Sequence, residues 1–225
     1  MLLRAALTAV CSLGAPRTHS SVALCASPSS EITSLLDALP VFTVANEEGK
    51  PLQYEVDGKP MAIFYADVAA AKKQFDAASA NHPECDIVPV GLGAAYALSC
   101  SGKASLVPGM TELTAAGMPE GLPALGQELP LFACMEMTKE LEDGATVIPL
   151  FMSFDDCEAA VKEARKAFDR PELQMTALSL PSVVEHLSSI ADGTQAFDFM
   201  PPAKSTDHIS RYVGKGVYAR VVEEE

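Results

Sequence analysis

The sequence has no tryptophan, and phenylalanine and tyrosine bring its aromatic content to only 6%. Cations are scarce too: 16 Lys and Arg stand against 30 Asp and Glu, a formal net charge of -14. Such a surface repels nucleic-acid phosphates and anionic headgroups, so nucleic acid is not expected as a partner and membrane association is expected to be peripheral at most. No stretch reaches 18 uninterrupted apolar residues, so no transmembrane helix is expected and the mature protein is expected to be soluble. The six cysteines, Cys11, Cys25, Cys85, Cys100, Cys134 and Cys157, include no Cys-x-x-Cys pair. That argues against a zinc ribbon and a dithiol redox motif, and Cys134 and Cys157 read as small buried hydrophobes.

Catalytic patterns are equally thin. His19, His82, His186 and His208 have no Cys or carboxylate at metal-ligand spacing, so no metal is expected. Asp155 and Asp156 are neighbours on an expected helix, about 100° apart around its axis. They suit the positive end of that helix better than a shared acid/base site. Gly91-Leu92-Gly93 follows an expected strand and precedes an expected helix, but it lacks the third glycine of a dinucleotide loop and reads as a structural turn. No catalytic residue and no cofactor are assigned, and the chain is not expected to be an enzyme.

What is present is a core and a repeat. At 48% hydrophobic and 20% charged residues, the chain has the composition of a globular protein with one sizeable core. Leu129-Pro130-Leu131-Phe132 repeats Leu39-Pro40-Val41-Phe42, Leu150-Phe151 matches Ile63-Phe64, and Pro171-Glu172 matches Pro83-Glu84. Two copies of this length are too few and too long for a solenoid, so an α/β body is expected in which two pseudo-symmetric halves each run strand hairpin, helix, strand, helix.

Five segments follow. Residues 1-30 contain Arg but no acid, and read as a targeting leader: Ala5 to Ala15 suits a signal-peptide core, and Arg17 to Ser30 has transit composition. A disordered native tail is the alternative. Residues 31-98 form the first half, where Asp67 caps a helix bearing Val68, Ala71 and Phe75 on one side, and Asp57-Gly58 marks a hairpin. Residues 99-127 read as a Gly/Pro-rich linker. Residues 128-191 form the second half: Leu129 to Met137 is a strand, Ser153 and Asp156 fit a capping box, and Pro181 opens the last helix. Residues 192-225 read as an extended C-terminal arm, with an edge strand expected over 216-222 and an acidic end.

Met110, Met118, Met135, Met137, Met152 and Met175 accompany Phe132, Phe151 and Phe154. Flexible methionine fills gaps in ordinary cores, and it also builds adaptable grooves for varied polypeptides; residues alone leave both readings open.

LPVF (39-42) with DGKPMAIFY (57-65) and DIVPVGL (86-92), then LPLF (129-132), VIPLFMSFDD (147-156) and LQMTALSL (173-180), resemble the Tic family's twenty-two-kilodalton component. This is the small soluble subunit of the protein-import translocon at the inner chloroplast envelope, with relatives in cyanobacteria and apicomplexan plastids. The resemblance implies a chaperone-like carrier in protein import into plastids, soluble or peripheral in the envelope intermembrane space. Its implied partners are precursor proteins with their transit peptides and translocon components of the outer and inner envelope. It also implies client-binding apolar surfaces at Phe42, Phe64, Phe132, Leu150, Phe151 and Met152. An organellar enzyme with an unrecognised site and a structural adaptor of an envelope complex are the alternatives.

Overall fold

The computed structural model describes residues 28-56, 58-142, 144-190 and 196-214. Most of the leader and the stretch 216-222 lie outside them. The first half opens with helix α1 (Ser30–Leu36), where Ser29 Oγ accepts the Ile32 N–H at 3.3 Å. The buried strand β1 (Pro40–Ala45) follows, then β2 (Gln53–Val56) and β3 (Lys59–Tyr65), which pair antiparallel; Asp57 of the expected turn between them lies outside the described residues. Helix α2 (Val68–Ala78) starts where Asp67 Oδ1 accepts the Ala69 N–H at 2.9 Å. Strand β4 (Asp86–Gly91) then pairs antiparallel with β1 and leads into α3 (Leu92–Cys100).

The segment read as a linker continues the same fold. It carries β5 (Ala104–Val107), which adds to β3 in parallel, and α4 (Met110–Ala115). The second half repeats each step from β1 onward and has no counterpart of α1 among the described residues: β6 (Pro130–Ala133), β7 (Lys139–Glu140), β8 (Thr146–Phe151), α5 (Phe154–Ala167), β9 (Thr176–Ser179), α6 (Leu180–Ser189), β10 (Phe197–Met200) and α7 (Ala203–Gly214). The strand expected from Leu129 to Met137 stops early, because the chain turns where the Met137 N–H reaches the Cys134 carbonyl. The expected extended arm is corrected as well. Phe197 and Phe199 are apolar enough to be buried as a strand, and β10 adds to β8 in parallel as β5 does to β3.

Register fixes the internal symmetry. Phe42 pairs with Tyr65 and Phe132 with Phe151, so Phe64 corresponds to Leu150 and Tyr65 to Phe151. The match of Leu150-Phe151 to Ile63-Phe64 is thus one position out, and one position in a strand exchanges the two faces. With the register corrected, each sheet sorts by alternate residues. Leu39, Val41, Ala62 and Phe64 from the first sheet join Leu129, Leu131, Ile148, Leu150 and Met152 from the second in one central core, closed by α1, α3 and α6. The other faces carry separate outer clusters, one around Phe42, Ile63 and Tyr65 and one around Phe132, Cys134 and Phe151.

Gly91 and Gly93 owe their place to packing. A Cβ on Gly93 would lie 2.1 Å from the Thr33 carbonyl oxygen, and one on Gly91 would lie 2.1 Å from Asp37 Oδ1. Asp37 instead accepts the Ala94 N–H at 3.1 Å and serves the start of α3.

Candidate functional site

Each outer cluster has two covers. Helix α2 lies on the first sheet and α5 on the second, as amphipathic helices following a strand should. The second cover is exchanged between halves: α7, from the second half, packs against α2, whereas α4, from the first, packs against α5. Ile209 on α7 joins the first outer cluster, and the His208 ring meets Phe42 edge-on with centroids 5.4 Å apart. Ala116, just beyond α4, joins the second cluster.

The six expected client-binding residues fall on both sides of the sheets. Phe64, Leu150 and Met152 face the central core, and Phe42, Phe132 and Phe151 face the outer clusters. All six are buried, the most accessible being Phe151 at 8%. None forms an open surface in this structure, because continuous apolar strands are covered on both faces. Phe132 stacks edge-on to Phe154 at 5.5 Å, and Met137, Met175 and Met200 flank that pair. Methionine therefore gathers on one outer face, where a flexible thioether tolerates changes in packing. Met110 is half exposed, and among the described residues the most open large apolar side chain is Phe168, 72% exposed at the end of α5. Strand parity was the missing signal for the first six; Phe168 follows Cys157, Val161 and Ala164 at helical spacing, so the pattern places it on the apolar side of its helix, yet it is open at the helix end.

A groove of about 310 Å³ runs along β4, lined by Pro40, Pro89, Val90, Pro201 and Ile209. A smaller crevice, about 60 Å³, sits where α2, α4, α5 and α7 begin, and Asp67, Glu112, Asp155 and Lys204 line it. Burial first, and then Asp67 and Asp155, raise the Glu112 carboxyl above its ordinary value, while its own backbone hydrogen bond and Lys204 act in the opposite direction. The expected capping box at α5 is half made. Ser153 Oγ accepts the Asp156 N–H at 3.2 Å, but Asp156 Oδ2 accepts the Ala203 N–H of α7 at 2.9 Å.

Burial favours the protonated forms of the Cys157 thiol and the Tyr65 phenol. Burial, followed by the nearby Cys134, pushes Cys157 up to about 12, and burial followed by Tyr54 pushes Tyr65 up to about 12. A thiol so raised is a poor nucleophile. Among the described residues, no group of three or more His, Cys, Asp or Glu side chains is placed to hold a metal ion. Also among them, no helix is long and apolar enough to cross a membrane.

No protein-family model and no curated protein matches the sequence. Solved structures do match. Tic22 from Plasmodium falciparum superposes with a TM-score of 0.67 at 17% identity, covering 83% of this chain and 99% of that one. Anabaena Tic22, described as protein transport, superposes with a TM-score of 0.64 at 17% identity, covering 84% of this chain and 97% of its own. The chain has the Tic22 fold.

Proposed function

From the Tic22 fold, we propose that this chain is a carrier in protein import into plastids. It holds precursor proteins in the envelope intermembrane space and catalyses no reaction. The observation that carries this reading is the extent of the superposition, which takes in nearly the whole of two Tic22 chains, one of them described as protein transport. Physical chemistry supplies the mechanism. A net charge of -14 attracts basic transit peptides over long range and keeps the carrier dispersed. Short-range holding is apolar and tolerant of sequence.

The buried state of Phe42, Phe132 and Phe151 sets a condition on that mechanism. These residues meet a client only when α7 lifts from the first outer face or α4 from the second. Met110 and Phe168 offer contact without any such motion. Two related faces on one body let an extended client be held at two points, which raises avidity.

Photo-crosslinking in plastids arrested during import tests the proposal, with probes placed at Phe168, Met110 and Phe42. Adducts with several unrelated precursors from at least one position are the expected result. One constant adduct at every position identifies an envelope adaptor instead. Absence of precursor adducts from all three positions overturns the carrier and returns weight to an enzyme. In solution, affinity of the purified full chain for a basic transit peptide should weaken as salt is raised; affinity that strengthens with salt removes the electrostatic part of the mechanism.

A further inference from the structure

The crevice at the junction of the halves is surrounded by four helix starts, two from each half. Three starts are served by partners whose geometry is fixed: Asp67 for α2, Ser153 for α5 and Asp156 for α7. The fourth belongs to α4, and its carboxylate is Glu112. Glu112 is half-buried, with Oε2 folded back so closely over residue 109 that a Cβ there would lie 2.1 Å from it.

The charges facing Glu112 are unbalanced. Asp67 comes from the start of α2, Asp155 from α5 and Lys204 from α7. Lys204 is the cation among them, and its Nζ lies 3.8 Å from Asp155 Oδ2. Asp156 is engaged by the Ala203 N–H. Val68, Leu129 and Met152 supply the apolar part of the wall, so an ionised Glu112 is poorly solvated and sits among like charges.

We propose that this junction is a proton-operated latch: with Glu112 protonated, α4 closes the crevice against α2 and α5, and with Glu112 ionised its carboxylate moves toward water and α4 loosens from the second outer face. Its consequence for linkage has a definite sign. A carboxyl whose folded pKa lies above the usual 4.5 contributes stability that is fully present below 4.5 and is lost as pH rises through the folded pKa. Acid therefore closes the latch. This inference depends on the junction geometry and not on the carrier reading, so each fails separately.

The test is hydrogen exchange across α4 in the full chain, corrected for intrinsic rates, alongside a carbon-13 titration of the Glu112 carboxyl. Protection of residues 110-115 should fall as pH rises through the Glu112 midpoint, by roughly tenfold for each unit between 4.5 and that midpoint. Glu112→Gln should hold the acid level of protection at every pH. Asp155→Asn removes one like charge and releases Lys204, so it should move the fall to lower pH. Wild-type protection that does not change with pH overturns the latch. So does a Glu112→Gln chain that keeps the wild-type dependence. If Glu112→Gln proves unfolded by circular dichroism, the Asp155→Asn shift decides: a midpoint that stays put overturns the proposal.

Discussion

Gly93 shows how one residue is claimed by packing. A methyl group there would be driven into the Thr33 carbonyl oxygen, a backbone atom that cannot rotate away. Gly93→Ala should cost about 1–3 kcal/mol, seen as a lower urea midpoint with an unchanged slope. Its neighbourhood also gives the reason for the glycines of Gly91-Leu92-Gly93, which reads as a structural turn: glycine allows another backbone to approach closely, and sequence does not say which segment arrives. Asp67 and Ser153 were legible because a cap needs only its own helix. The second role of Asp156, on the start of α7, was not, since nothing local connects it to Ala203. The raised thiol and phenol lead to an alkaline prediction. Cys157 near 12 against a usual 9.0, and Tyr65 near 12 against a usual 10.0, both favour the protonated form in the fold. Their contribution is complete below the unfolded values and is lost as pH rises toward 12. Urea midpoints measured at rising alkaline pH should decline, and alkylation of Cys157 should proceed at the rate of unfolding.

At the scale of elements, α5 was readable because Cys157, Val161 and Ala164 recur on one side of a well-capped helix. Strand β10 and helix α7 were not, because parallel addition to a distant strand leaves no turn signal between the partners. A cue did exist. Val107-Pro108-Gly109-Met110 and Met200-Pro201-Pro202-Ala203 both carry a buried strand through proline into a helix, so the repeat extends beyond the stretch in which the sequence is most alike. The register slip had a different cause: Ile63-Phe64-Tyr65 is apolar throughout, and a run without alternation hides which residue faces which side. Helix α7 should be the weaker of the described covers on the first face. Ile209→Asp places a carboxylate against the outer cluster and should cost about 1–3 kcal/mol. Exchange protection should drop over 203-214, and an apolar dye should bind the uncovered face. If protection over those residues is unchanged, α7 is not held by that contact.

For the whole molecule, the pseudo-symmetric α/β body was legible from the repeated Leu-Pro-hydrophobic-Phe openings, but the exchange of final helices was not. The two sheets share one core, and Leu150 is fully buried in it. Leu150→Ala should cost about 2–5 kcal/mol, with protection falling in both halves together during a single urea transition. Separate transitions for the two sheets would show that the central core does not couple them. The exchanged helices carry a further consequence, for the order in which the chain can become native. Phe42 acquires its final covering only when His208 has been made, so the first sheet must wait for nearly the entire polypeptide to emerge. Contacts that close such long loops slow folding. A chain delivered from its N-terminal end, by a ribosome or through a pore, therefore keeps its first outer face open until α7 arrives.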